Sequence, residues 1–276
     1  MRKYLERHAE PEATLAEHVE GRFEAALVVP AHRESARALD GFSAAGAGAG
    51  GRLLVILVVN VARDASFQAS SETRAMLAEI EELHGTGRLL ADLPPLRRYE
   101  LAAFTLMVID RASAGFELPE KQGVGLARKI GADIACALVA QGKLALPFVF
   151  SSDADAELPA DYVPRSRQAL GTDLSGLIYP FCHVRSGDEA VDQATLTYEL
   201  ALRYHVLGLR SAGSAYGFHT IGSTLCAGSQ AYAHVRGFPK RQAGEDFYLL
   251  DKLATLGPLC RVSTEPVRII SRRCSR

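Results

Sequence analysis

The chain has 276 residues and a formal net charge of −1, from 31 Lys+Arg against 32 Asp+Glu. So balanced a charge gives no bulk electrostatic pull toward nucleic acid or an anionic membrane surface. With 48% apolar and 23% charged residues, the composition is that of a globular protein with chain enough for one large domain or two small ones. The five cysteines (Cys136, Cys182, Cys226, Cys260 and Cys274) form no Cys-x-x-Cys pair, which argues against a zinc ribbon or disulfide framework and for reduced thiols. The start, "MRKYLERHAEPEATLAEHVEGR", is charged throughout and has no apolar core like that of a secretory signal. The longest apolar run, "LLVILVV" (53–59), is about a third of a membrane span. The expectation is a cytoplasmic protein with no integral membrane segment and no nucleic-acid partner, with homo-oligomerisation left open.

In chain order, residues 1–20 read as a polar helix broken near Pro11. "EAALVVP" (24–30) is a short buried strand ended by proline. "HRESARALDGF" has helical spacing at Ala36, Leu39 and Phe42, and "SAAGAGAGGR" reads as a flexible loop. "LLVILVVN" (53–60) is a second buried strand. "SSETRAMLAEIEELHGTG" is an amphipathic helix with Gly85 just past its end. "LAAFTLMVID" (101–110) reads as a third strand, "GVGLARKIGADIACALVAQGKL" as a long helix and "PFVFSSD" as a fourth strand. Continuous apolar strands alternating with helices predict an α/β fold, its central sheet mostly parallel and covered by helices on both faces.

Ligands in such sheets bind beyond the carboxyl ends of the strands. Pro30, Asn60, Asp110 and Asp153 all fall at those ends and are expected to converge on one crevice. "GAGAGG" (46–51) formally satisfies G-x-G-x-x-G, but it precedes a strand, whereas a dinucleotide fingerprint follows a strand and opens a helix. In "FVFSSDADAELPADYV" (148–163) an apolar strand runs into Asp153 and Asp155. Acidic residues are common in turns, so the pair reads either as a plain strand exit or as a divalent-metal site that handles phosphate.

Four segments occur in the order found in the GT-A nucleotide-sugar glycosyltransferases, and the chain resembles the family 2 type most. "ALVVPAHRES" is similar to that family's V-P-A-Y-N-E first strand, and "GVGLARKIGADIA" to its G-x-x-x-A-R-N-x-G helix. "FVFSSDADAELPADYV" resembles the Asp-x-Asp strand. "GSTLCAGSQAYAHVRGFPKRQAGEDFYLLDKLATLG" resembles the stretch that leads through G-G-F to a Glu-Asp helix. The resemblance spans about residues 24–257. It implies a GT-A-type single domain with a nucleotide-sugar-binding half (24–160) and an acceptor-side half (161–276), preceded by an N-terminal helical extension (1–23).

The implied activity is metal-dependent transfer of one sugar, with inversion, from a UDP- or GDP-linked donor to an acceptor hydroxyl. The implied cofactor is Mn²⁺ or Mg²⁺, since hard cations prefer carboxylate and phosphate oxygen and stabilise a departing diphosphate. Asp155 is implied on the metal, Asp153 on the metal or toward the ribose and sugar, and His219 as a late metal ligand. Pro30, Ala31, Glu34, Asn60, Lys121 and Arg128 are implied on the donor side, Arg128 as a guanidinium able to brace carboxylate or phosphate. Asp246 is the implied general base, kept ionised by its place at a helix end, with Glu245 the alternative. Each has a plainer reading: Arg128 as a solvated surface arginine, His219 as a structural histidine, and Glu34, Glu245 and Asp246 as first-turn carboxylates. An Arg128 that braces the site is expected to weaken donor binding when changed to alanine while the fold stays intact, and a surface one to change stability by no more than about 0.5 kcal/mol.

Asn60 departs from the family's usual aspartate, which leaves the base unspecified. The absence of tryptophan removes the Q-x-x-R-W motif of processive synthases, so single transfer is expected. The ending "VRIISRRCSR" is basic, with no terminal helix to close the acceptor side. Two alternatives stand beside this reading: a sugar-phosphate nucleotidyltransferase, whose glycine-rich signature "PAHRESARALDGF" lacks, and a non-catalytic GT-A-like binding domain.

Overall fold

Strands whose residues are apolar on both faces cannot meet water on either side, and two such strands form the centre of this protein. In the computed structural model, which describes residues 1–170 and 173–272, every residue of β1 (Ala25–Ala31) and β2 (Leu53–Asn60) is buried. The chain reaches β1 through α1 (Arg2–Arg7) and a 3-10 segment (Pro11–His18). Between β1 and β2 come a second 3-10 segment (Ala36–Phe42) and α2 (Ser43–Gly48). Then follow α3 (Phe67–His84), β3 (Arg88–Asp92), β4 (Pro95–Glu100), β5 (Thr105–Arg111), α4 (Gly123–Ala140), β6 (Phe148–Ser151), β7 (Ala156–Glu157) and α5 (Tyr162–Ser166). The second half holds β8 (Gly176–Ile178), β9 (Phe181–Val184), α6 (Glu189–Ser211), β10 (Leu225–Gly228), α7 (Ser229–His234), α8 (Glu245–Leu256), β11 (Leu259–Arg261) and β12 (Val267–Ile270).

The main sheet runs β11-β8-β10-β6-β1-β2-β5-β4-β3, and a small one runs β7-β12-β9. The expected parallel sheet is its centre, β6-β1-β2-β5. Each flank holds one reversed strand: β10 pairs in opposite sense with β6 and β8, and β4 with β5 and β3, while the edge strand β11 runs parallel to β8. The sheet is therefore mixed, and its third strand starts at Thr105, after a hairpin rather than at Leu101. Alternate residues of β1 and β2 feed two cores. Leu27, Val29, Val55 and Leu57 pack with Phe42, Met76 and Tyr162 on one face. Val28, Leu54 and Ile56 pack with Ile130, Ile134, Tyr232 and Leu249 on the other.

The N-terminal segment breaks at Pro11 as expected, but it is bonded to the body of the protein. The Tyr4 hydroxyl donates to Asp133 Oδ1 (2.5 Å), the Glu10 amide donates to Asp133 Oδ2 (2.7 Å), and Lys129 Nζ donates to both Tyr4 and Asp133 (2.7 and 2.9 Å). These bonds clamp residues 1–23 onto α4 one residue from Arg128. Among the described residues, no helix is long and apolar enough to cross a membrane.

"SAAGAGAGGR", expected as a flexible loop, instead forms α2 and a two-glycine turn. Its small residues serve close approach: a Cβ on Gly46 would strike the Ala103 carbonyl, and one on Gly48 the Ala160 carbonyl. Only Gly50 and Gly51, at φ +65° and +72°, use glycine's left-handed freedom to turn into β2. Alanine replacing glycine inside a helix ordinarily stabilises by about 1 kcal/mol. At Gly46 the sign should invert, because backbone cannot yield as a side chain does. Gly46→Ala is expected to lose about 1–3 kcal/mol in urea denaturation, and an unchanged or higher midpoint would mean that α2 is free to shift.

Candidate active site

Strand β6 buries Phe148, Val149 and Phe150 and leaves the sheet through Ser151 and Ser152, both inaccessible to solvent. The Ser152 amide still donates to Val28 O of β1 (3.0 Å), and the Ala156 amide to Asp153 O (3.2 Å), so Asp153 to Ala156 form a turn. On an extended strand Asp153 and Asp155 would share a face. The turn separates them and gives each its own cation.

Asp153 meets Arg128. Helix α4 comes close enough to deliver that arginine because Gly131 faces the Val28 side chain and Gly125 faces the backbone of Pro239 and Arg241; a Cβ at either would collide. Arg128 is 3% exposed, and its whole fork is used. Nε donates to Glu245 Oε1 (2.8 Å), Nη1 to Ser151 Oγ (2.7 Å), Ser152 O (3.1 Å) and Gly222 O (3.5 Å), and Nη2 to Asp153 Oδ1. Burial alone would push the guanidinium's pKa down; Asp153 and Glu245 outweigh it and hold it above its ordinary value. Arg128 is thus not a solvated surface arginine.

Glu245 and Asp246 open α8 behind Gly244, which sits in the left-handed region at φ +74°. Glu245 is buried against Arg128, so it holds the helix start in place and has no free face for an acceptor. Asp246 is half-buried, with Oδ1 accepting from the Phe247 amide (2.7 Å). Burial, then the neighbouring Glu245, push its carboxyl above the ordinary aspartate range. Burial and Glu245, rather than the helix end, set the direction of the shift at Asp246. The shift makes it a stronger base.

Asp155 meets Arg272, which follows β12. Arg272 Nε lies 2.9 Å from Asp155 Oδ2, and its Nη1 donates to Glu34 Oε1. Strand β12 is fixed beside the turn by pairing with β7 and β9 and by the Ile270 amide, which donates to Asp155 O (3.1 Å). Burial, then the Asp153 carboxylate and with it Glu34, push Asp155 up to about 6, against the pull of Arg272. Beside this group opens a cleft of about 800 Å³, lined by Glu34, Asp155, Glu157, Leu158, Arg268 and Arg272. Its size suits a small-molecule ligand.

The other expected residues divide. Pro30 and Ala31 are buried at the end of β1, in register with Val58 and Val59. Asn60 is buried, and its Nδ2 donates to Ala31 O and Val58 O (both 3.1 Å), so its amide hydrogens lock two strand exits together. Lys121 is exposed, at φ +61° ahead of α4. His219 is not brought to Asp155: it lines a separate cavity, edge-on to Phe181 at 5.0 Å. Arg272 and Ser151 were not anticipated. Ser151 stood in the quoted motif, while Arg272's only signal was a basic ending. Among the described residues no three His, Cys, Asp or Glu side chains close into a metal-binding set.

No family model matches the chain, and no curated protein matches it. Solved structures similar to it include a mycobacterial protein, at 15% identity over 98% of this chain and 73% of that one, TM-score 0.43. Another is M. tuberculosis glucosyl-3-phosphoglycerate synthase, at 14% identity over 98% of this chain and 79% of that one, also with TM-score 0.43. At that distance no residue role passes from either to this chain.

Removing Arg128 would strand two carboxylates, one of them buried. Losing one partner of a buried ion pair costs about 3–5 kcal/mol, so Arg128→Ala should lose that order of stability in denaturant, contrary to the untouched fold expected of an arginine that only braces the donor. Arg128→Lys should recover only part, because an ammonium lacks the fork. An Arg128→Ala midpoint at the parent value would show that the network relaxes at no cost.

Proposed function

We propose that the protein is a GT-A-type glycosyltransferase that moves one sugar from a nucleoside-diphosphate donor to an acceptor hydroxyl, with inversion. The observation that carries this reading is the Arg128 network, which ties the Asp153–Asp155 turn to the Glu245–Asp246 helix start through an arginine 117 residues from Glu245 in sequence. Two motifs far apart in the chain meet at one edge of the sheet, where α/β proteins bind ligands.

In this reading Asp246 accepts the proton of the acceptor hydroxyl as that oxygen attacks the anomeric carbon. The bond from that carbon to the diphosphate oxygen breaks, and its electron pair leaves with the nucleoside diphosphate. Arg128 keeps Glu245, and through it the α8 start, in register with the Asp153 turn. Asn60 holds the β1 and β2 exits that floor the donor side. The residues that would hold a divalent cation are Asp155 and Glu34, two hard oxygen donors with Asp153 in the same turn; burial first, and then this crowding, raises Asp155. Mg²⁺ and Mn²⁺ suit one or two carboxylates plus substrate phosphates. When bound, such an ion would compensate the charge of the departing diphosphate.

The raised Asp155 fixes a pH dependence. A carboxyl at about 6 in the folded protein keeps a proton that the unfolded chain has released, so in metal-free protein this group's contribution to stability rises as pH falls from 7 toward 4. A cation needs the carboxylate, so its affinity should fall about tenfold per unit below pH 6. UDP with Mn²⁺ at a hundredfold excess over Kd should add about 2.7 kcal/mol at pH 7.5. The accompanying Tm rise should largely vanish at pH 5, in Asp155→Ala, and with EDTA. A rise that survives EDTA would refute the metal assignment.

Asp246→Asn keeps the shape and removes the base. It is expected to slow transfer about 10²–10⁴-fold while the UDP–Mn²⁺ shift persists. Transfer at the parent rate by a folded variant would leave Asp246 a helix-end carboxylate and place the base elsewhere.

A further inference from the structure

A second cavity, of about 160 Å³, is walled by Tyr179, Phe181, His219, Arg203, Arg210 and Arg261. Strand β8 runs parallel to β6, since β10 between them opposes both, and β11 runs parallel to β8. The ends of β8 and β11, which carry Tyr179 and Arg261, therefore open at the same sheet edge as the Asp153–Asp155 turn. The loop carrying His219 continues to Gly222, whose carbonyl accepts from Arg128, and a Cβ at Gly222 would strike that guanidinium. Cavity wall and catalytic network are one stretch of backbone.

The charges here do not balance. Arg203 is satisfied: Nε and Nη2 donate to Glu199 Oε1 (2.9 and 2.6 Å), and Nη2 also reaches Phe181 O (2.9 Å). Glu199 is further engaged with the His183 amide and with His183 Nδ1 (3.0 and 2.7 Å). Arg210 spends Nε on Gly217 O (2.6 Å), a bond to a neutral carbonyl that folds the 214–217 turn against α6. Arg261 stands exposed at the end of β11. Glu199, already shared between Arg203 and His183, is thus set against three guanidiniums. His219 Nδ1 is buried without a hydrogen-bond partner. Burial, followed by Arg203, Arg210 and Arg261, push the imidazole's pKa down, which keeps it neutral with one N–H to donate.

A buried orphan nitrogen costs stability unless something bonds it, and unpaired guanidiniums match the planar fork of a carboxylate or the oxygens of a phosphate. We propose that this cavity is an anion-binding subsite for the acceptor, which carries a phosphate or carboxylate received by Arg210, Arg261 and His219. The acceptor role rests on the glycosyltransferase reading; the anion site rests on the cavity alone.

The test titrates the full chain separately with inorganic phosphate and with acetate, following Tm and calorimetric heat, in the parent, in Arg210→Gln/Arg261→Gln and in Asp155→Ala. Both arginines are exposed, so the double variant should fold. Saturable binding of one anion is expected in the parent and in Asp155→Ala, at least tenfold weaker in the double variant, and the stronger anion identifies the group. Equal binding in parent and double variant, or none in the parent, overturns the anion site. Transfer is then assayed with phosphorylated, carboxylated and neutral hydroxyl acceptors. The anionic class should be preferred, and the double variant should raise KM for it at least tenfold with kcat retained. Anion binding that the double variant loses, beside transfer that ignores acceptor charge, overturns the acceptor role alone. The same binding with no transfer to any acceptor overturns that role together with the glycosyltransferase reading.

Discussion

Arg128 is 3% exposed and fully charged, so the groups around it are fixed by the cost of leaving that charge unsatisfied, which for a buried ion exceeds most other single terms in a folded protein. The fork meets Glu245, Ser151 and Asp153 from three separate segments, and Gly222 from a fourth. The glycines of α4 follow from this constraint, because the helix must lie close to β1 and to the loop before α8 for the arginine to reach. The N-terminal clamp on Lys129 and Asp133 has the same logic on the neighbouring residue. A second buried charge anchors the helix from behind and keeps its position from depending on apolar packing alone.

At Asp155 the balance is looser. Its partner Arg272 is about half exposed, with a side chain 51% accessible against 15% for Asp155, and ion pairs open to water contribute little. A divalent cation held by Asp155 would compete with Arg272 for the same oxygens, and so with a contact that is cheap to break. Arg128 and Arg272 therefore differ in kind, although each faces one carboxylate of the same turn. One is a buried structural charge, the other a replaceable counter-ion.

Much of this was legible in the sequence where apolar runs were long. The strands β1, β2 and β6, the helices α3 and α4, and the Asp153–Asp155 exit follow from hydrophobic pattern, because burial on two faces leaves few other structures open. Small residues misled: "SAAGAGAGGR" has the composition of a flexible linker, yet its glycines permit contact with two carbonyls, and close approach leaves no trace in local pattern. Glu245 and Asp246 are adjacent and chemically alike, and only the position of Arg128 separates the buried ion-pair partner from the half-buried carboxylate. Arg272 lies 117 residues beyond Asp155, and nothing local to "VRIISRRCSR" marks which of its arginines returns to the site.

The placement of His219 follows from topology. In an all-parallel sheet only residues after a strand reach the carboxyl edge. Inserting β10 in the opposite sense reverses the rule for one strand: its amino end lies at that edge, so residues before it reach the ligand side. Ile221 to Thr224 and the loop holding His219 precede β10, which is why a histidine well upstream of the Glu-Asp helix lines this edge while the residues after β10 go to α7 and the core. Strand sense thus decides which flank of each strand faces ligand. The antiparallel flank brings a set of basic side chains, from α6 and β11, to an edge whose parallel centre supplies carboxylates.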